Sequence, residues 1–213
     1  MLIRRWLIAS LLTLLSIAAC AEDATTSFEE GKHYVRLDTP VRTVDPNKIE
    51  VTEVFWYGCS HCFHFEPMVH AWSKKLPKDV EFVQSPAMWN RVMEIHARAF
   101  YTAKALGVLD KVHQPIFEAI NVERNMLTTP DAIATLFAKY GVEESTFHKA
   151  FKSFAVNSQV QQADARARGY QIQGTPEMIV NGKFRVSTRT AGSQRGMLEV
   201  VDYLVQQERN SAQ

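Results

Sequence analysis

The sequence predicts an α/β fold in which a strand, a helix and a strand are followed by an all-helical insertion and then completed by a hairpin and a last helix. Three observations carry this reading. Ile49 to Tyr57 is an unbroken β-branched and aromatic stretch running directly into Gly58 and Cys59. Residues from about 88 to 169 show apolar spacing of helical period almost throughout. Met178 to Val186 holds Asn181-Gly182 between two short apolar runs, a strong hairpin signal.

The chain begins with a segment outside this fold. Arg4 and Arg5 precede an apolar run from Leu7 to Ala19 that is too short to span a bilayer with margin. Small residues follow, Ala18-Ala19-Cys20-Ala21, and then Glu22 and Asp23. This order reads as a secretory signal peptide over residues 1–21 with an Ala-x-Ala site at Ala19 and Ala21, an uncleaved anchor being the alternative. Ile17-Ala18-Ala19-Cys20 also resembles the lipobox of bacterial lipoproteins, in which the cysteine is lipidated. Leu is more usual at the head of that box, so simple cleavage is preferred and a lipid anchor through Cys20 is the second outcome. Export places the mature chain in an oxidising compartment, where paired thiols persist.

The mature elements follow in order. Ile49 to Tyr57 reads as a buried strand. From Cys62 onward, Phe65, Val69, Trp72 and Leu76 recur at helical spacing until Pro77. Val80 to Val83 is the next strand, giving a βαβ unit with a parallel pair within residues 22–87. The insertion, residues 88–169, opens with Val92, Ile95, Ala99, Ala103 and Leu106 on one helical face, ended by Gly107. Val112, Ile116 and Ile120 mark a second helix, in which Pro115 predicts a kink or a break. Thr129 and Pro130 supply an N-cap and a first-turn proline for Ile133, Leu136, Phe137 and Tyr140. Phe147, Phe151 and Phe154 predict a short helix, and Val160, Ala163 and Ala167 another. Residues 170–213 return to the sheet through the hairpin and end in a helix carrying Met197, Val200, Val201 and Leu204.

Composition bounds the function. Hydrophobic residues at 46% and charged residues at 22% exclude a disordered or collagen-like chain. Lys and Arg number 24 against 23 Asp and Glu, so nothing in the charge balance points to a nucleic-acid partner. Three cysteines are too few for a disulfide framework or a closed four-cysteine zinc site.

The chemistry lies in Cys59-Ser60-His61-Cys62. The motif follows a strand and opens a helix, so Cys59 meets unpaired backbone N–H groups and the positive end of the helix dipole, which favour the thiolate. His61 offers a second positive or hydrogen-bonding influence. Cys62 sits one turn deeper, and this asymmetry suits thiol–disulfide exchange. A zinc site using His61 or His64 remains an alternative but lacks ligands. A c-type haem site needs His where Phe63 stands, and a purely structural disulfide would close too small a loop to stabilise much.

Phe55-Trp56-Tyr57-Gly58-Cys59-Ser60-His61-Cys62, Phe65-Glu66-Pro67, Gly174-Thr175-Pro176 and Val180-Asn181-Gly182-Lys183 together resemble the DsbA family of bacterial periplasmic disulfide oxidoreductases. The likeness covers nearly the whole mature chain, including Ala105-Leu106-Gly107-Val108 and Pro115-Ile116-Phe117-Glu118 in the insertion. The resemblance implies a thioredoxin fold interrupted by an all-helical domain. It implies a periplasmic monomer without cofactor or bound metal that donates its disulfide to newly exported polypeptides and is reoxidised by a DsbB-type, quinone-linked membrane partner. By the same resemblance Cys59 is the nucleophile, Cys62 the resolving cysteine, His61 the dipeptide histidine and Pro176 the cis-proline facing them. Glu53 and Glu66 match acids beneath the site that can move protons for Cys62, a satisfied core acid being the plainer alternative.

Three positions depart from the family pattern. Ser60 stands where Pro is usual, and Thr175 where a β-branched apolar residue is usual, which leaves the redox strength open. Gln84 stands where some members carry a basic residue, so a Glu–Lys proton network is not carried over. Two further functions stay in view: a disulfide isomerase or reductase, favoured only by Thr175, and a soft-metal-binding protein using both cysteines. Exposed apolar surface around Cys59, with Trp56 and Phe63 contributing, is expected to receive a polypeptide.

Overall fold

The computed structural model describes residues 27–211, so the leader, its cleavage site and Cys20 lie outside the described residues. Within them, one sheet has the strand order β1-β5-β4-β2-β3. Its strands are β1 (Val35–Arg36), β2 (Ile49–Phe55), β3 (Val80–Pro86), β4 (Glu177–Val180) and β5 (Phe184–Ser187). β2 pairs parallel with β3 and antiparallel with β4. It has helices on both faces and is buried along nearly its whole length, which explains its continuous apolar sequence.

The alternation of β2 decides which residues reach the site. Val51 packs with Phe65 and Val69 of α1 (Ser60–Ser73) and with Met197 and Val201 of α8 (Gln194–Ser211). Val54 packs on the opposite face with Met93 and Tyr170. Glu53 shares the Val51 face by the two-residue period, and so lies between the sheet and α1.

Between β3 and β4 the chain forms α2 (Arg91–Ala105), α3 (Leu109–Asn121), α4 (Pro130–Ala138), α5 (Glu144–Phe151) and α6 (Phe154–Gly169). Asn90, Thr129 and Ser153 cap α2, α4 and α6 by accepting backbone N–H bonds, a device that satisfies otherwise unpaired donors. Phe55, Tyr57, Phe100 and Phe117 meet edge-on or tilted, and Tyr57 and Phe117 have centroids 4.8 Å apart. Each buried aromatic contributes roughly 1.5–3 kcal/mol, so this cluster locks the end of β2 to the helical insertion. Asn121 adds a donor, with Nδ2 2.9 Å from the Tyr57 carbonyl.

Several expectations need correction. α3 runs through Pro115 without breaking: the missing N–H removes one rung, and the buried Val112, Ile116, Phe117 and Ile120 hold the helix in place. Phe154 does not share a helix with Phe147 and Phe151; it begins α6, after the Ser153 cap, and is 85% exposed. On α2 the buried face is centred on Met93, Ala97 and Phe100, whereas Val92 and Ile95 are only partly buried, because this helix packs against the sheet and the other inserted helices together. β3 extends beyond Val83 to Pro86, and α1 ends at Ser73, before Leu76.

The hairpin forms as its sequence predicts. Asn181 and Gly182 have φ of 51° and 63°, and the Lys183 N–H bonds the Val180 carbonyl at 2.9 Å. Gly182 is required twice over, because a Cβ there would fall 1.9 Å from the Val41 carbonyl oxygen. The edge strand β1, which pairs with β5, and the short α7 (Thr188–Ala191) had no distinct sequence signal.

Candidate active site

The turn after β2 delivers Cys59 to the start of α1. The Cys59 N–H donates to the Trp56 carbonyl at 3.0 Å, and a Cβ on Gly58 would lie 2.3 Å from the Trp56 ring. Cys59 itself is the N-cap, with extended backbone (φ −91°, ψ 113°), and its Sγ accepts the Cys62 N–H at 3.4 Å. A sulfur thus occupies the place where a capping oxygen usually sits. Ser60 and His61, in the first turn, are exposed, whereas Cys62 is fully buried.

These surroundings separate the two thiols. The Cys62 thiol bonds to the Cys59 sulfur and holds it down to about 5; burial opposes this, and the Thr175 side chain and the backbone N–H groups of Cys62 and His61 add to the lowering. The Cys59 Sγ also lies 3.2 Å from the Thr175 carbonyl, a contact that only the thiol can make as donor and that therefore works against ionisation. Burial, reinforced by the Cys59 sulfur and Glu53, pushes the Cys62 thiol well up. Thr175 precedes Pro176 through a cis peptide bond, and Pro176 is buried. The exposed His61 touches the site through its main chain: its N–H faces the Cys59 thiolate, and its carbonyl accepts from Gln194 Nε2 at 2.6 Å.

Under Cys62 lies a buried polar floor. Gln84 Nε2 donates to Glu53 Oε2 at 2.9 Å and to Glu66 Oε2 at 3.1 Å. The amide is assigned this way because Nε2, with two hydrogens, then reaches an oxygen of each carboxyl group. His113 Nε2 is 3.3 Å from the same Glu66 oxygen, and its Nδ1 is 2.7 Å from the Tyr57 hydroxyl. In neutral imidazole Tyr57 donates to Nδ1 and Nε2–H donates to Glu66; in imidazolium both nitrogens donate and the Tyr57 oxygen accepts. Glu53 Oε1 is buried without a partner. Burial, with repulsion from Glu66, raises Glu53 to about 8. Burial raises the Tyr57 phenol as well.

The structure sets half-buried Cys59 against Thr175, with Cys62 and Pro176 buried beside them, and brings Glu53 and Glu66 together through Gln84. Tyr57 and His113 were not anticipated. His113 follows Val112 and shares a helical face with Ile116, Phe117 and Ile120, so a polar residue on an apolar face was the available signal. Phe63 is half-buried and lines a shallow cleft of about 310 Å³ with Gly58, Ser60, His64 and Met126. Trp56 instead turns to His96, its Nε1 donating to Nδ1 at 3.0 Å. Among the described residues no three His, Cys, Asp or Glu side chains are grouped to hold a metal. No helix among them is long and apolar enough to cross a membrane.

Known proteins share this fold. The family model of the DSBA-like thioredoxin domain matches residues 78–198. The chain is 46% identical over 181 residues to the thiol:disulfide interchange protein DsbA of Azotobacter vinelandii, covering 85% of each. It is 42% identical over 200 residues to that of Pseudomonas aeruginosa, covering 94% of this chain and 93% of the relative. A match of 200 residues in a chain of 213 necessarily includes Cys59 and Cys62, which precede the family-model match. The crystal structure of Pseudomonas aeruginosa DsbA superposes with a TM-score of 0.84 at 43% identity, over 87% of this chain and 96% of that one. The oxidoreductase DsbA from Xylella fastidiosa gives 0.81 at 34% identity, over 85% and 98%. The α/β architecture described above is a thioredoxin fold with a helical insertion.

Proposed function

The chain belongs to the DSBA-like thioredoxin-domain family and is a protein-disulfide oxidoreductase, and from that premise we propose that it works as a thiol oxidase. In this reading it donates a Cys59–Cys62 disulfide to newly exported polypeptides in the periplasm, and a DsbB-type membrane partner reoxidises it. The observation that carries the direction is the Cys59 sulfur, a half-buried N-cap held at about 5 above a Cys62 thiol pushed well up.

The steps follow from that difference. A substrate thiolate attacks Cys59 Sγ, the Cys59–Cys62 bond breaks, and its electron pair leaves on Cys62, which takes up a proton. The substrate's second thiolate then attacks its own sulfur in the mixed disulfide and releases Cys59 as a stable thiolate. A well-stabilised leaving thiolate makes the disulfide a strong oxidant. Thr175 and Pro176 form the wall against which the substrate sulfur approaches, and Glu53 and Glu66 serve the Cys62 proton. Ser60 and His61 fill the first turn, where they set the N–H groups facing the thiolate. The cleft beside Phe63 and Met126 offers apolar surface to an extended polypeptide.

Equilibration with reduced and oxidised glutathione tests this reading. The Cys59–Cys62 couple should lie on the oxidising side of glutathione, and reduced, unfolded substrate should gain disulfides from the oxidised protein. A couple more reducing than glutathione would make the protein a reductase.

A further inference from the structure

The buried floor holds more machinery than two carboxylates. Three side chains from three elements meet at Gln84 Nε2: Glu53 of β2, Glu66 of α1 and His113 of α3. The amide has only two hydrogens to give and cannot carry a positive charge. When both carboxylates ionise, the single group among these able to supply compensating charge is the His113 imidazole, 3.3 Å from Glu66 Oε2.

His113 is also placed to exchange protons with solvent. It lines a cleft of about 580 Å³ between α1 and α3, together with Glu66, Gln84, His70, Lys74 and Asp110. The other titratable groups facing it are the Tyr57 hydroxyl, from the turn after β2, and Glu53 through Gln84. α2 presents Phe100 to it, with ring centroids 5.9 Å apart.

We propose that His113 is a positioning residue that supplies the counter-charge for the Glu53–Glu66 pair, and so sets when Glu53 can take the proton of Cys62. This rests on the reading that Cys62 resolves disulfides formed at Cys59. In the resolving step Cys62–SH gives its proton to the Glu53 carboxylate, and the new thiolate attacks Cys59 Sγ. The Cys59–Cys62 bond forms, the bond from Cys59 to the partner sulfur breaks, and the electron pair leaves on the partner thiolate. Glu53 becomes a neutral acid, which leaves Glu66 as the carboxylate that His113 Nε2 faces at 3.3 Å. The reverse transfer protonates Cys62 when a substrate opens the disulfide.

The test follows one turnover of protein carrying glutathione on Cys59, with glutathione release measured from pH 5 to pH 10. His113→Gln keeps a donor for Glu66 and a hydrogen-bonding partner for Tyr57 but removes the charge. It should slow release about 3- to 10-fold at pH 7 and converge with the unaltered protein above pH 9, as expected when a base has lost a neighbouring cation. A profile unchanged by the substitution, or lowered equally at every pH, overturns the proposal. Gln84→Lys provides the second arm, because its ammonium would sit between the two carboxylates. It should move the rising limb to lower pH and make His113→Gln silent at pH 7; a limb that stays in place overturns the proposal too. If the unaltered protein releases no glutathione through Cys62, the oxidase reading itself fails, a result distinct from either of these.

Discussion

Cys59 and Cys62 lie one helical turn apart, but the mouth around the first and the floor beneath the second are built from opposite materials. The mouth is the Cys62 thiol together with N–H groups of the first turn, one carbonyl and the Thr175 hydroxyl. The floor is side chain: two carboxylates, an amide, an imidazole and a phenol, enclosed by aromatic rings. These donors keep their protons through the neutral range, Cys62 because burial pushes its thiol well up, so the mouth sets a steady bias toward thiolate. Titratable side chains can gain and lose protons, so the floor responds to the redox state above it. The difference teaches that one helix start can hold a steady nucleophile while the layer below handles its protons.

Substitutions can break the comparison, and the largest effect is expected from the cysteines themselves. Cys62→Ala should accumulate mixed disulfides through Cys59 on non-reducing gels, while Cys59→Ala should accumulate none. Adducts through Cys62 would reverse the two roles.

The next effect is thermodynamic. The folded Cys59 value of about 5 lies below the unfolded cysteine value, so its ionisation contributes stability fully above about 8.5 and loses it as pH falls through about 5. At pH 7 this is worth about 2 kcal/mol after discounting for partial exposure, about what so small a disulfide loop contributes by chain entropy, and it grows up to about pH 8.5. Thermal melts should therefore show the reduced protein gaining on the oxidised form as pH rises from 5, and exceeding it above pH 7. A gap between the two forms that does not move between pH 5 and pH 8 would contradict the bias assigned to the mouth.

Glu53 works with the opposite sign. Its folded value is raised from 4.5 to about 8, so the native state holds a proton that the unfolded chain releases, and stability falls as pH rises between these values. Glu53→Gln should flatten that decline and gain about 1–2 kcal/mol at pH 8 relative to pH 5. Denaturant titrations at the two pH values check it; an equal change at both would remove Glu53 from the titrating floor. The smallest expected effect is at the rim. Thr175→Val deletes one of several donors to the Cys59 thiolate and should raise its midpoint by about half a unit.

The mouth was far more legible in the sequence than the floor. A strand, a glycine and Cys-x-x-Cys at a helix start place the thiols without any long-range information, and Asn181-Gly182 fixes the hairpin just as locally. The floor depends on contacts between distant residues. Tyr57 and His113 are 56 positions apart, and Gln84 meets Glu53 only because β2 and β3 pair in register there. Glu53 and Glu66 were traceable through strand and helix periodicity, but their link through an uncharged amide was not. Elsewhere, β1 is two residues long and α7 four, too short for any periodicity to register. The break that Pro115 offered does not occur because packing on four buried neighbours outweighs one missing hydrogen bond.

The central claim is that the fold separates two chemically identical thiols into one steady thiolate and one protonated partner. A pH titration of the reduced protein, following thiolate absorbance together with alkylation mapped to each cysteine, addresses it directly. Cys59 should ionise with a midpoint near 5, and Cys62 should stay protonated beyond the ordinary cysteine range. Two thiols ionising together near the ordinary value of about 8.5 would contradict the account.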